Sequence, residues 1–279
     1  MTPHIECISQ GIYKDIPCED VVGYHRAGQS ILAWAIDGAS TLSEAAFTTF
    51  CDVSDAGWFA RKVAESLPEL SAPSFASSNL HEKLHAIRHE YFDACAGANP
   101  MHEWPVAAAT IVEINAVSPK RLAVSIHRYA DCFELFEHAP LPSRAPDNPT
   151  QPVPQTYDKW KPHSGFADES LALLRSRRCQ QQRNQFSSAL TLNPVSAFNA
   201  KTSHLTLDSP AHILIGTDGL SRAWDTYGLM TAEEALRLVT QCGLNALLGK
   251  LRAHEATLAC SPADSKRRDD ASGVFLSFS

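Results

Sequence analysis

The sequence predicts an α+β fold in which strands and helices are grouped into layers. Three features lead to this prediction: short apolar runs have the length of buried strands, other segments have helical periodicity, and the two kinds of segment occur in clusters. A doubly wound parallel sheet would instead need strands and helices in regular alternation. The pattern therefore disfavours a nucleotide-binding α/β class.

Six apolar runs are predicted as strands, because each is about the usual strand length and several are bounded by Gly, Pro, Ser or Asp. They are residues 30–36, 107–117, 121–127, 132–136, 211–217 and 272–278. Helices are predicted where apolar residues recur every three or four positions, at 59–70 and 80–91. A third helix is predicted to begin at Thr231, where Glu234 is placed to complete a capping box.

Composition indicates an ordinary globular protein, with 44% hydrophobic and 20% charged residues in 279. The net charge of −7 and the lack of a long basic stretch argue against a nucleic-acid partner. The short basic runs at 175–178 and 266–268 are predicted as solvated helix face or loop. Arg183 and Asn184 are predicted as a helix end rather than a substrate contact.

The eight cysteines form no CxxC pair, and the first residues lack the basic and apolar regions of a signal peptide. No apolar stretch approaches the roughly 20 residues that span a bilayer. We therefore expect reduced thiols, a cytoplasmic location and no membrane partner. The sequence leaves the oligomeric state open.

Two of the predicted strands end in the same dipeptide, Asp37-Gly38 and Asp218-Gly219. Either one alone indicates a turn. Together they suggest carboxylates at a sheet edge, where a glycine lets the backbone approach an ion closely. Hard divalent cations such as Mg²⁺ and Mn²⁺ take oxygen ligands of this kind.

Two more acidic pairs flank predicted or apolar segments near the chain ends. Glu19 and Asp20 precede an apolar dipeptide, and Asp269 and Asp270 precede the last predicted strand. Each pair alone is typical of a solvated turn. With the two Asp-Gly ends, they place acids at the entrances or exits of four segments.

In chain order, these motifs resemble those of the PP2C (PPM) family of metal-dependent protein serine/threonine phosphatases, in its bacterial single-domain form. That family has an early Glu-Asp, two apolar strands ending in Asp-Gly, a small-residue strand and a Gly-Asp-Ser turn between them, and two acids before the last strand. The corresponding segments here are Glu19-Asp20, Asp37-Gly38, Ala107 to Thr110, Ala130-Asp131-Cys132, Asp218-Gly219 and Asp269-Asp270.

The resemblance implies an α-β-β-α sandwich of two antiparallel sheets with helix pairs outside. It also implies a single domain over residues 1–279, with a variable flap at about 137–207. The implied cofactors are two divalent cations, Mn²⁺ or Mg²⁺, with a third and weaker one. Their implied ligands are Asp37 as the bridging residue, the Gly38 carbonyl, Asp218, Asp269, Asp20 or Glu19 through water, and Asp131 for the third ion.

The implied reaction is hydrolysis of phosphoserine or phosphothreonine in a phosphoprotein, with Asp37 and Asp218 as the central catalytic residues. Two such ions, about 3.5–4 Å apart, activate a shared water for in-line attack on phosphorus. No nucleophilic Cys or Ser is needed for that chemistry.

The chain departs from the family at the arginine that grips the substrate phosphate, since Asp15 stands at that position. Lys14 and Arg26 are the candidate replacements, although a lysine cannot make the bidentate arginine fork. Ala130 also replaces the glycine of the Gly-Asp-Ser turn, which makes the turn stiffer.

Two alternatives to an active protein phosphatase stay open. The chain could be a catalytically silent binding module of the same fold, or a hydrolase of small phosphorylated molecules. His81 and His85 have the spacing of zinc ligands on a helix, but the usual third ligand and general-base Glu are missing.

Overall fold

A computed structural model of the chain describes residues 2–12, 17–39, 41–42, 49–50, 52–71, 74–137, 168–258 and 268–279. The strands are β1 (His4–Gln10), β2 (Val21–Ala27), β3 (Ser30–Gly38), β4 (Val106–Ser118), β5 (Arg121–Tyr129), β6 (Phe133–Glu137), β7 (Leu190–Thr191), β8 (Lys201–Asp208), β9 (Ala211–Gly216) and β10 (Ala271–Phe278). The helices are α1 (Asp55–Leu70), α2 (Ser77–Cys95), α3 (Asp168–Gln182), α4 (Asp218–Asp225), α5 (Ala232–Cys242) and α6 (Leu244–Thr257), with short 3₁₀ turns at Met101–Glu103 and Pro194–Phe198.

The strands form two sheets. One has four strands in the order β1-β10-β9-β6, and the other has the order β2-β3-β4-β5-β8 with β7 paired to β4. Every pairing between these strands is antiparallel. The first strand of the chain thus pairs with the last, which brings the two chain ends into one sheet.

Strand β3 shows how the layers are stacked. Ile31, Ala33 and Ala35 lie in a core shared with β9 and β10 of the other sheet. Leu32, Trp34 and Ile36 alternate with them and pack under α1 and α2. Successive side chains of a strand point to opposite faces, so both faces of β3 are buried and its sequence is continuously apolar.

A third core lies outside the four-stranded sheet, where α4, α5 and α6 cover β9 and β10. The layers are therefore helix, sheet, sheet, helix, and the predicted α+β sandwich is confirmed. The six predicted strands correspond to β3, β4, β5, β6, β9 and β10. The three predicted helical segments correspond to α1, α2 and the start of α5.

The sequence prediction missed the strands β1, β2 and β8, which are edge strands with mostly exposed or half-buried side chains. A search for continuous apolar runs cannot find strands that bury only one face. It also missed α3 and α4. The apolar pattern from Thr231 is divided into two helices at Gly243, whose φ of +81° interrupts the helix.

Two predicted helix boundaries are confirmed. The Thr231 hydroxyl accepts a hydrogen bond from Glu234 N at 3.1 Å, and the Glu234 carboxylate accepts one from Thr231 N at 2.7 Å. At the end of α3, Asn184 has a φ of +56° and its N–H donates to Gln181 O at 2.8 Å. Asn184 is therefore a helix-end residue, as predicted.

Within the described ranges, no helix has the length and apolar character that crossing a bilayer requires. The six cysteines of those ranges are free thiols. The predicted flap at 137–207 is described only at Glu137 and from residue 168 onward, so the segment 138–167 lies outside the described residues. The single-domain organisation stays a prediction.

Candidate metal centre

Antiparallel pairing brings the four acidic segments to the same end of the two sheets. Val21 pairs with Ile36, so Asp20, just before β2, lies next to Asp37 at the end of β3. In the other sheet Gly216 pairs with Gly273, which places the segment after β9 beside the segment before β10. Residues distant in sequence thus meet because strand ends and strand starts coincide at one edge.

A cavity of about 230 Å³ opens at this edge. Four of its lining residues are acids, namely Asp37, Asp131, Asp218 and Asp269. The carboxyl groups of Asp37 and Asp218 lie within hydrogen-bonding range of each other. The structure therefore brings together the acids that the sequence singled out from opposite ends of the chain.

Burial, followed by crowding of like charges, dominates the electrostatics of the cavity. Burial raises the pKa of Asp37 well above its usual range, and the neighbouring charges of Asp20, Asp218 and Asp269 raise it further. Burial also raises the pKa of Asp20 to about 8, against the opposing hydrogen bond from Thr217. Carboxylates held this close together need protons or cations among them.

Only one acid of the first pair faces Asp37. Asp20 is 5% exposed, and its carboxylate accepts a hydrogen bond from the Thr217 hydroxyl at 2.8 Å. The Glu19 carboxylate instead accepts a hydrogen bond from Ser54, the N-cap residue of α1. Asp20 is therefore the better placed of the two predicted ligands, and Glu19 connects the centre to α1.

In the last acidic pair, Asp269 and Asp270, the two carboxylates also have different surroundings. Asp269 lines the cavity. The Asp270 carboxylate accepts hydrogen bonds from the backbone N–H groups of Ile12, at 2.9 Å, and Glu19, at 2.6 Å. Asp270 thus anchors the N-terminal segment that carries Asp20, while Asp269 faces the centre.

The two glycines of the Asp-Gly pairs are needed for close packing. A Cβ on Gly219 would lie 1.8 Å from the Asp270 carbonyl oxygen, and one on Gly38 would lie 2.9 Å from the Ala56 carbonyl oxygen. A side chain at either position would push apart the backbones that hold the acids together. The Gly38 carbonyl as a metal ligand stays a prediction.

Asp131 is exposed on the turn between β5 and β6, at the rim of the cavity. The preceding residue, Ala130, has a φ of +58°, a conformation that favours glycine. Its backbone N–H donates to Ser188 O at 3.1 Å. This hydrogen bond holds Ala130 in a left-handed backbone conformation that is strained for a residue with a Cβ.

We expect Ala130→Gly to stabilise the protein by about 0.5–1 kcal/mol, because glycine removes the left-handed strain at some cost in unfolded-chain entropy. The measurement is urea unfolding followed by circular dichroism. Ala123→Gly in strand β5 is the control and should destabilise by a similar amount. A lower stability for Ala130→Gly would contradict the strain assigned to this turn.

One of the two predicted phosphate-binding residues, Arg26, is not brought to the cavity. Arg26 pairs with Ile31 at the far end of the β2-β3 hairpin, six strand residues or about 20 Å from Asp37. Its guanidinium donates to Pro3 O at 3.1 Å. Arg26 is therefore wrong as a phosphate ligand. Lys14 lies outside the described residues.

Sequence reasoning missed Arg178, which lies on α3 and lines the same cavity as the acids. The prediction that the basic run 175–178 is solvated is wrong for Arg178 and for Arg175, whose guanidinium donates to Leu42 O at 3.2 Å. Arg177 is exposed, as predicted. Arg175 and Arg178 lie one helical turn apart on α3, and this spacing could have suggested that they share an inward face. The apolar periodicity of α3 is too weak to support that prediction.

In the part of the chain that the structure describes, no three His, Cys, Asp or Glu side chains form a ready-made metal-binding group. The donor set around Asp37 nevertheless suits a hard divalent cation, because all its side-chain donors are carboxylate oxygens. The raised pKa of Asp37 points the same way, since an added cation would offset both the burial of its charge and the repulsion from its acidic neighbours.

No protein-family model matches the chain, and no curated protein matches it in sequence. Its fold is nevertheless similar to solved serine/threonine phosphatases. The S. agalactiae phosphatase superposes with a TM-score of 0.55 at 9% identity, over 100% of both chains. Stp1 from Staphylococcus aureus has a TM-score of 0.52 at 10% identity, over 100% of this chain and 96% of that one.

A third similar structure is the catalytic domain of the phosphatase PstP, which was solved with two manganese ions. Its TM-score is 0.51 at 12% identity, over 99% of this chain and 97% of that one. At such low identity the similarity concerns the fold. It confirms the fold that the motif resemblance implied: the described part of the chain has the architecture of the PP2C serine/threonine phosphatases.

Proposed function

We propose that the chain is a metal-dependent phosphatase that hydrolyses phosphoserine and phosphothreonine monoesters in proteins. The observation that carries the proposal is the group of Asp37, Asp218 and Asp269 around one cavity, with Asp20 beside Asp37. The fold shared with serine/threonine phosphatases supports it. The free thiols fit the expected cytoplasmic location.

Two divalent cations, Mn²⁺ or Mg²⁺, fit this group of acids. Asp37 has acidic neighbours from both sheets, which suits a ligand shared between two ions. Asp218 and Asp269 would complete one ion's ligands, and Asp20 with the Gly38 carbonyl would serve the other. Asp131, at the rim, is the candidate for a third and weaker ion. PstP, which has the same fold, was solved with two manganese ions.

Bound divalent ions would activate a water and neutralise charge on a phosphate ester. The chain's own residues position these partners. Thr217 holds the Asp20 carboxylate, and Asp270 holds the backbone of the segment that carries it. Rigid strand ends then fix the acids, so little rearrangement is needed when the substrate binds.

The test is hydrolysis of p-nitrophenyl phosphate by the purified protein in EDTA, Mg²⁺ or Mn²⁺. We expect activity only with a divalent ion, and at least about 100-fold less for Asp218→Asn, because several kcal/mol of charge stabilisation depend on the ions it helps to hold. Circular dichroism should show that the variant is folded.

A folded wild-type protein without activity in any metal would contradict the proposal and favour the silent binding module. Turnover of a phosphopeptide should exceed turnover of small phosphate esters. The reverse preference would instead indicate a hydrolase of small phosphorylated molecules.

A further inference from the structure

Arg178 differs in charge from the acidic residues that line the cavity. Of the described side chains that line it, Arg178 is the one basic group, and it shares the cavity with Asp37, Asp218 and Asp269. It comes from α3, whereas the acids come from the ends of the sheets. The cavity therefore has an acidic floor built by strand ends and a basic group supplied by a helix.

Helix α3 is anchored on both sides of this residue. One turn before it, Arg175 Nη2 donates to Leu42 O at 3.2 Å. One turn after it, Gln182 Nε2 donates to Trp104 O at 3.1 Å and to Pro105 O at 2.9 Å. Residues at this spacing share one helix face, so both anchors turn Arg178 towards the sheets.

The guanidinium lies between two groups of acids. Arg178 also lines a second, smaller cavity, together with Glu19 and Glu103. Burial lowers the pKa of Arg178, and the charges of Glu103, Glu19 and Asp37 act in the opposite direction. The side chain is therefore a partly buried cation that shares the cavity with Asp37 and feels its charge.

A guanidinium has five N–H donors in a planar fork, more than a single carboxylate can accept. Its geometry matches two oxygens of a phosphate group. A phosphate ester placed in the cavity would share it with this guanidinium. The acids cannot bind phosphate oxygens themselves, because both carry negative charge.

We propose that Arg178 binds the substrate phosphate through two of its non-bridging oxygens and orients it over the group of acids around Asp37. This inference rests on the proposed phosphatase function. It assigns to a helix of the variable segment the role that sequence reasoning gave to Lys14 or Arg26. Recognition of the phosphate would then depend on how α3 is docked.

The test is calorimetric titration of phenylphosphonate, a phosphate mimic that is not hydrolysed, into the Mn²⁺-loaded protein. Arg178→Ala should weaken its binding at least about 10-fold, the effect expected for charge-assisted hydrogen bonds. Arg178→Lys should be intermediate, because lysine keeps the charge and loses the fork. Arg177→Ala, on the exposed side of α3, should bind as the wild type does.

Manganese affinity is measured separately on each variant. It should not fall in Arg178→Ala, since the substitution removes a cation from beside Asp37. Unchanged phenylphosphonate affinity in a manganese-loaded Arg178→Ala protein would overturn the inference. If that variant does not fold, Arg178→Lys and Arg178→Gln are judged by the same affinities.

The outcomes for the two proposals are separable, because phosphonate binding requires no turnover. A wild type that binds phenylphosphonate through Arg178 and hydrolyses nothing would contradict the proposed phosphatase and support this inference. An active enzyme in which KM, kcat and phosphonate binding are all unaffected by Arg178→Ala would support the proposed phosphatase and contradict the role of Arg178.

Discussion

Replacing Asp37 by asparagine is expected to abolish metal-dependent hydrolysis while stabilising the protein in EDTA. Asp37 is the proposed shared ligand, so hydrolysis of p-nitrophenyl phosphate should fall by roughly 10³-fold, given that the ions supply several kcal/mol and about 1.4 kcal/mol is a factor of ten. We expect Asp37→Asn to leave the fold unchanged, because asparagine has nearly the same size as aspartate.

The expected gain in stability has an electrostatic cause. Burial and the charges of Asp20, Asp218 and Asp269 raise the pKa of Asp37, which means that its ionised form is unfavourable in the folded protein. A neutral amide carries no charge that burial or these acidic neighbours could make unfavourable. The free energy of unfolding in EDTA should rise by roughly 0.5–2 kcal/mol, as is usual when a functional site is relaxed.

Thermal unfolding with and without Mn²⁺ tests both parts of this prediction. Mn²⁺ at 100 times its dissociation constant should stabilise the wild type by about 2.7 kcal/mol, and the variant much less. Asp93→Asn, at an exposed position of α2, is the control and should behave as the wild type. An Asp37→Asn protein with wild-type turnover and an undiminished Mn²⁺ shift would show that the site is assigned to the wrong residue.

The second large effect is expected for Arg252→Ala, which should destabilise the protein by about 3–5 kcal/mol. Glu255 is fully buried, and Arg252 Nη1 donates to it at 2.8 Å. Among the described residues, Arg268 is the other cation near Glu255, at 3.9 Å, which is too far to replace a hydrogen bond. Removing Arg252 therefore leaves a buried carboxylate poorly compensated.

Arg252 also connects three parts of the chain. From α6, its Nη2 atom donates to Gln10 O at 3.1 Å, at the end of β1, and to Asp269 O at 2.9 Å, before β10. Loss of these bonds should loosen the segment that carries Asp269. Mn²⁺ binding should therefore weaken in the same variant.

Urea unfolding measures the effect, with Lys250→Ala on the exposed side of α6 as the control. The double variant Arg252→Ala with Glu255→Leu should recover most of the lost stability, because no charge is then left buried without its partner. A loss below about 1 kcal/mol for Arg252→Ala, or no recovery in the double variant, would contradict the role given to this ion pair.

The sequence alone was enough to predict the layered α+β class and the strands at the centre of each sheet. Those strands are apolar on both faces, as in β3, so they stand out without any knowledge of their neighbours. Edge strands such as β1 and β8 bury little, and their sequences resemble loops. Only pairing with β10 and β5 makes them strands.

The acids of the candidate centre were also named from the sequence, because Asp-Gly pairs at strand ends and acidic pairs before strands are local features. The sequence could not decide which acid of a pair faces the cavity. Adjacent residues point in different directions at a strand end, and the choice depends on long-range contacts such as Glu19 N to Asp270.

The position of Arg178 could not be predicted from the sequence. Its polar helix has no apolar stripe that would predict a buried face, and its partners lie far away in sequence. Contacts of Arg175 with Leu42 and of Gln182 with Trp104 and Pro105 decide which face of the helix turns inward. Sequence patterns thus predicted the α+β class and named the acids at the strand ends, whereas the placement of a cation among those acids required the tertiary contacts of α3.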